Sequence, residues 1–180
     1  NLMSLGYASY VIELLDRFTY EEGENHALFQ LVIDTLARLV GEEDTQLTLR
    51  YYEVRLLDLL GFRPQLFECA ACGEQIQAVD QFFSAAQGGV LCPRCGTGAG
   101  GARAISVDAL RYLRHCQRSS FAQARKAHPS PAVHHEMEIL MQHYLTHILE
   151  RNLNSPAFLR RIQSEQQQLR ETGSTQQPED

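Results

Sequence analysis

Residues 69–95 read CAACGEQIQAVDQFFSAAQGGVLCPRC, and this stretch decides the architecture. Cys69 and Cys72 form one C-x2-C pair, Cys92 and Cys95 a second, with nineteen residues between them. A C-x2-C pair sits on a tight turn that aims two thiolates at one point, and two such pairs complete a tetrahedral zinc site. Four sulfurs close the coordination sphere, so the expected zinc is a single structural ion with no open position for a water nucleophile. Gly73 and Gly96 each follow the second cysteine of a pair. Without a Cβ they can adopt positive φ and let backbone N–H groups approach the sulfurs. Disulfides are the rival use of the thiols. No basic segment followed by an apolar one opens the chain, however, so nothing supports secretion and a reducing, cytoplasmic setting is expected. Inside the stretch, Gln81–Ser84 and Val90-Leu91 flank Ala86-Gln87-Gly88-Gly89 and predict a β-hairpin that returns Cys92 to the first pair. A module of about forty residues buries little by itself. The metal should therefore supply most of its folding energy, on the order of 10 kcal/mol in comparable peptides.

Outward from the cysteines the periodicity turns helical. Ala8, Val11, Ile12, Leu15 and Phe18 recur at helical spacing until Glu21-Glu22-Gly23-Glu24 breaks the pattern. Asn25 predicts the N-cap of a second helix with Phe29, Val32, Ile33, Leu36 and Val40 on its apolar face, ended by Gly41. Thr45 opens a third helix through Leu49, Tyr52, Leu56 and Leu59, which Gly61 stops and Pro64 prevents from restarting. Gly98 to Gly101 reads as a flexible exit from the module. Ser106 caps a fourth helix carrying Val107, Leu110, Leu113 and Cys116, the last as a small buried apolar residue. Residues 119–130 are polar and irregular, with room for a short helix. Ser130-Pro131 starts a long helix whose stripe is Met137, Leu140, Met141, Tyr144, Leu145, Ile148 and Leu149. Ser155-Pro156 starts a last one with Phe158, Leu159 and Ile162. The expected fold is mainly α: a discontinuous helical domain, residues 1–64 and 105–163, interrupted by a protruding zinc module at 65–104. Residues 164–180 form a Gln/Glu/Ser-rich tail expected to be disordered.

The net charge of −6 is unevenly spread. Residues 1–64 hold eleven acids and five bases, whereas 105–163 hold four acids and eight bases. Arg111, Arg114 and Arg118 line one helix face, joined by Arg125, Lys126, Arg160 and Arg161. A solvated face is the plainer reading; contact with DNA phosphates, or with the carboxylates of an acidic peptide, is the sharper one. Arg50 and Arg55 sit beside Tyr51, Tyr52 and Leu56, a combination suited to a peptide with an apolar anchor and a carboxylate. His143 and His147 are one turn apart but read as a solvated pair. His135-Glu136 begins like a metalloprotease motif, but Ile139 stands where its second histidine belongs. No phosphate loop, serine-nucleophile elbow or paired-carboxylate site is present, so no enzyme is expected.

Four stretches together resemble the RecO family of bacterial recombination mediators: YASYVIELLDRFTYEEGENHALFQLVIDTLARL at 7–39, LRYYEVRLLDLLGFRPQLFECAACG at 49–73, FFSAAQGGVLCPRC at 82–95, and YLTHILERNLNSPAFL at 144–159. The resemblance implies a non-catalytic role in RecF-pathway DNA repair. It further implies binding of single- and double-stranded DNA, of RecR, and of the acidic tail of single-stranded DNA-binding protein (SSB), with strand annealing and RecA loading as the outcome. It implies that complete members begin with an OB-fold, which this chain lacks, so a fragment with weakened DNA binding is expected. Cys69, Cys72, Cys92 and Cys95 match the family's zinc ligands, and Arg50 aligns with a family arginine that contacts the SSB tail. The alternative is a zinc-ribbon nucleic-acid reader of a transcription-related protein, in which the module alone would bind DNA in a salt-dependent way.

Overall fold

The computed structural model describes residues 2–19, 25–41 and 44–153. The Glu21–Glu24 break, the helix after Ser155-Pro156 and the 164–180 tail lie outside the described residues. The chain runs α1 (Leu2–Phe18), α2 (His26–Val40), α3 (Thr45–Leu59), β1 (Gln81–Ser84), β2 (Gly89–Leu91), α4 (Pro93–Gly96), β3 (Arg103–Ile105), α5 (Val107–Arg118), α6 (Phe121–Ala124) and α7 (Pro131–Leu153). It is mainly helical, with one small antiparallel sheet in the order β2-β1-β3.

Local chemistry sets the helix ends. Asn25 accepts from the Leu28 amide at 3.0 Å and Asp44 from the Leu47 amide at 3.0 Å, each satisfying a donor the first turn leaves free. Gly61 takes φ +80° after α3, so the Phe62 amide can reach back to the Leu57 carbonyl at 2.8 Å. Ser106 accepts from the Ala109 amide at 3.1 Å, and its own hydroxyl and amide are both held by Glu136 of α7 at 2.6 Å. The glutamate of the failed metalloprotease motif is thus a clamp between α7 and the start of α5.

Helix α3 is the axis of the bundle, packed by α1, α2, α5 and α7. It is buried on nearly every side, including Tyr52, Val54, Leu56 and Leu57 at 0% exposure. The α7 stripe lies as its spacing predicts: Met137, Leu140, Met141, Tyr144, Leu145 and Ile148 are all buried. The predicted face of α2 does so only in part, with Val32 buried and Leu36 packed against the core. Phe29, Ile33 and Val40 are exposed at 66%, 44% and 80%, while Leu28, Val32, Thr35 and Leu39 face inward. The helix reads HALFQLVIDTLARLV, so two apolar stripes one residue apart are available and only the neighbouring helices select between them. On α1, Ile12 is likewise exposed and Leu14 buried.

Two further differences concern the cysteine module. Its exit is not simply flexible, because Arg103–Ile105 pairs with β1 as a third strand, in register Gln81↔Ile105 to Phe83↔Arg103. Nor does the module protrude. Phe83 of β1 is fully buried and meets the Tyr144 ring of α7 edge-on, at 5.3 Å and 82°. Such pairs add about 0.5–1.5 kcal/mol beyond area burial. Arg114 and Gln117 of α5 donate to the carbonyls of Leu66 and Pro64, at 2.8 and 2.9 Å. One continuous apolar cluster runs through module and helices.

Candidate metal centre and arginine faces

The two cysteine pairs are held by the same local device. The Gly73 amide donates to the Cys69 carbonyl, and the Gly96 amide to the Cys92 carbonyl, both at 2.8 Å. Each closes a turn that points the pair's sulfurs the same way. The two glycines serve it differently. Gly73 has φ +74°, as the sequence predicts. Gly96 is not among the positive-φ glycines; a Cβ there would stand 2.4 Å from the Phe82 ring, so it is glycine for lack of room. Backbone N–H groups do approach the Cys69 sulfur, from Cys72 and Ala71 within its own turn and from Cys92 of the other pair at 3.3 Å. The Ala70 amide bonds the Val90 carbonyl at 2.8 Å and brings the two turns face to face.

The result is four sulfurs within 4.8 Å of one another. Cys72 Sγ and Cys92 Sγ are 3.9 Å apart. A tetrahedral zinc with metal–sulfur bonds of about 2.3 Å requires sulfur–sulfur separations of roughly 3.8 Å. The electrostatics agree. Burial pushes the Cys69 thiol up, but the amides of Cys92, Cys72 and Ala71 outweigh it and draw the pKa down to about 6. Hydrogen bonds with Cys92 and Cys72 drive Cys95 the other way, to about 12. Four crowded thiols cannot all ionise unless a cation compensates them. Arg94 caps the exposed side, 2.9 Å from Glu74. Among the described residues no other group of three or more histidines, cysteines or carboxylates converges in this way.

Of the residues expected to meet a partner, Arg50 is not on the surface. Its side chain is 5% exposed and bonded at 2.7 Å to Glu53, itself fully buried. Glu53 also accepts from the Tyr10 hydroxyl of α1 at 2.6 Å. Burial raises the Glu53 pKa, and Arg50 and the Tyr10 hydrogen bond pull against that shift. Tyr51 is buried, its hydroxyl donating to the Ser119 carbonyl at 3.1 Å and its ring meeting Phe121 edge-on. Arg55 is half-buried and shared between Asp58 and the Gln117 carbonyl, at 3.3 and 3.1 Å. These three tie α3 to its neighbours; they do not converge on an open site. The sequence hid this because an arginine beside apolar residues looks alike whether it faces out or meets a buried carboxylate. The one available signal was Glu53, three residues on.

A cleft of about 280 Å³ does open nearby, between α1 and α7, with Tyr10, Leu14, Leu145 and Leu149 as walls and Arg17 at the edge. Tyr10 connects it through Glu53 to Arg50. Sequence reading missed this cleft because its two helices are over a hundred residues apart in the chain.

The three arginines of α5 do share a face. Arg111, Arg114 and Arg118 line a groove of about 560 Å³ together with Ala78, Val107, Tyr112, His115, Ser119 and Ala127. Arg118 lies over the Phe67 ring, its Cζ 3.6 Å from the centroid, and Arg114 lies at 5.1 Å. Burial, and then the neighbouring Arg118 charge, lowers the Arg114 pKa.

The family described as "Recombination protein O C terminal" matches residues 1–157. A DNA repair protein RecO of Roseiflexus sp. (strain RS-1) is 43% identical over 159 residues, covering 88% of this chain and 56% of that protein. The DNA repair protein RecO of Dehalococcoides mccartyi is 35% identical over 144 residues, with coverages of 80% and 56%. That of Symbiobacterium thermophilum is 33% identical over 170 residues, with coverages of 91% and 66%. The chain thus spans little more than half the length of the first two of these curated relatives. Helices and cysteine module fall within one family match, and the chain belongs to the RecO family of DNA repair proteins.

Proposed function

We propose that this chain is the helical, zinc-holding part of a non-catalytic recombination mediator that acts in the bacterial cytoplasm. In this reading the complete protein binds DNA, RecR and the SSB tail, anneals strands and helps load RecA. The family match across residues 1–157 carries the reading. Free thiols suit a reducing compartment, and among the described residues no helix is long and apolar enough to cross a membrane. The metal is zinc, held by Cys69, Cys72, Cys92 and Cys95, and its role is to hold the module's two turns together.

The SSB tail is assigned to the α1–α7 cleft rather than to Arg50 directly. An acidic peptide with an apolar anchor needs an apolar slot beside a cation, and the cleft offers Leu14, Leu145 and Leu149 beside Arg17, which the peptide's carboxylate would have to take from Glu13, its partner at 2.6 Å on the same lining. Arg50 then acts from behind, fixing Glu53 and through it Tyr10. DNA phosphates are assigned to Arg111, Arg114 and Arg118. Titration of a labelled SSB-tail peptide into the chain tests the first assignment. Binding weakened severalfold by Arg17→Ala or Leu145→Ala supports it; binding that ignores both substitutions removes the cleft.

A further inference from the structure

The four clustered cysteines are chemically alike but not equally sheltered. Cys69 is buried at 2% exposure, Cys92 and Cys95 are half-buried, and Cys72 is exposed. The Cys69 sulfur is also held by the amides of Cys92, Cys72 and Ala71. A bound metal keeps every ligand sulfur as a thiolate, so access and neighbours decide which one reacts. Ala71, Gly73 and Glu74 are exposed like Cys72, so a small oxidant reaches this turn from solvent. The Arg94 guanidinium stands beside it, within reach of both the Glu74 carboxylate at 2.9 Å and the Cys72 sulfur. An exposed thiolate next to a fixed cation is the form of cysteine that peroxides oxidise first. A second thiolate is at hand, because Cys92 Sγ of the other pair lies 3.9 Å from Cys72 Sγ.

We propose that Cys72 is the oxidation site of the metal centre and Cys92 its resolving partner, so that a peroxide exchanges the bound ion for a disulfide between the two turns. This rests on the zinc reading for the identity of the ion. The Cys72 thiolate attacks one oxygen of hydrogen peroxide, giving a sulfenic acid and a hydroxide toward which Arg94 donates. The Cys92 thiolate then attacks the Cys72 sulfur, forming the S–S bond and releasing a second hydroxide. The two sulfurs lose two electrons and the peroxide takes them up. Two remaining thiolates no longer close the site, and the ion leaves. Cys69 is the poorer resolving partner, because turning its sulfur breaks its amide contacts. A bond from Cys72 to Cys92 also joins the turns that the Ala70–Val90 contact brings face to face, whereas one from Cys72 to Cys69 would leave them untied. In a reducing compartment the bond is transient, and thiol exchange restores the site.

The test uses the full chain, assayed first for bound metal and then treated with hydrogen peroxide. Released zinc is read with a chromogenic chelator, and oxidised cysteines are mapped by mass spectrometry after alkylation. One zinc per chain should be released as the Cys72–Cys92 bond appears, and a thiol reductant with added zinc should reverse both. Arg94→Ala should slow release severalfold without lowering the starting zinc content, while Arg94→Lys keeps the rate. Hydrogen-exchange protection at Ala70 and Val90 should outlast the loss of the ion. Buried Cys116 is the internal control. Oxidation of Cys72 no faster than that of Cys116 overturns the proposal, as does a first disulfide within either C-x2-C pair. Release that ignores Arg94→Ala removes Arg94 from the step, and sulfinic acid at Cys72 without a disulfide removes Cys92. A chain that carries a different metal, or none, overturns the zinc reading alone. Mapping its oxidised cysteines still decides whether Cys72 and Cys92 pair.

Discussion

Helices α3 and α5 pack side by side, and each sets arginines next to aromatic rings, yet the two use them in opposite ways. On α3, Arg50 turns inward to a buried carboxylate and a tyrosine from α1. On α5, Arg118 lies over Phe67 and meets no acid among the described residues. Neighbours account for the difference. Four helices surround α3, so any cation there must find its counter-charge inside. One face of α5 is left open, so a cation such as Arg118 can stay exposed there. An arginine's role is set by how many elements cover its helix and by whether a carboxylate within one turn is itself buried, as Glu53 is and Asp108 is not.

Metal removal should separate the two helices most sharply. Phe67 is two residues before Cys69, so the α5 face depends on the cysteine module and the Arg50 cluster does not. With interactions on the order of 10 kcal/mol at stake, chelation should abolish hydrogen-exchange protection at Ala70 and Val90. Amides of α3 should stay protected. Equal loss in both regions would show that they open as one unit and that the contrast is false. Arg50→Ala comes next, expected to cost about 3–5 kcal/mol in urea unfolding because it strands Glu53. Arg50→Met combined with Glu53→Leu should recover most of that; a cost under about 1 kcal/mol would mean Glu53 is not a buried charge. Phe67→Leu keeps apolar bulk but removes the ring, so a loss of about 0.5–1 kcal/mol is expected, with weaker nucleic-acid binding as Arg118 loosens. Arg111→Ala should leave stability within about 0.5 kcal/mol and alter DNA affinity alone; a larger drop in the melting transition would make it a structural residue like Arg50.

Much of this was readable in the chain, for physical reasons. The cysteine turns, the caps at Asn25 and Ser106 and the α7 stripe depend on neighbours within a few residues, which the sequence displays directly. The inward face of α2 depends on where α1 and α3 lie, and a helix apolar on most sides carries no record of that. Strand β3 is three residues long and exists because β1 offers it an edge. Gly96 announced a backbone conformation and turned out to mark the close approach of Phe82. Arg50 required knowing that Glu53 and Tyr10, one of them forty residues away in the chain, meet it in the same interior.

The Cys92 amide and Cys69 sulfur meet across a separation of 23 residues, whereas the bonds joining α3 to α5 span 62 and 68. Contacts that distant are slow to form in an open chain, because loop closure costs entropy before any packing compensates it. Once the metal has closed the shorter loop, Leu66 and Pro64 already stand near the residues that lead into α5, and the remaining search is short. During synthesis the module would be complete before α7 leaves the ribosome. The ion would then set the order in which the bundle assembles, a role in time as well as in structure.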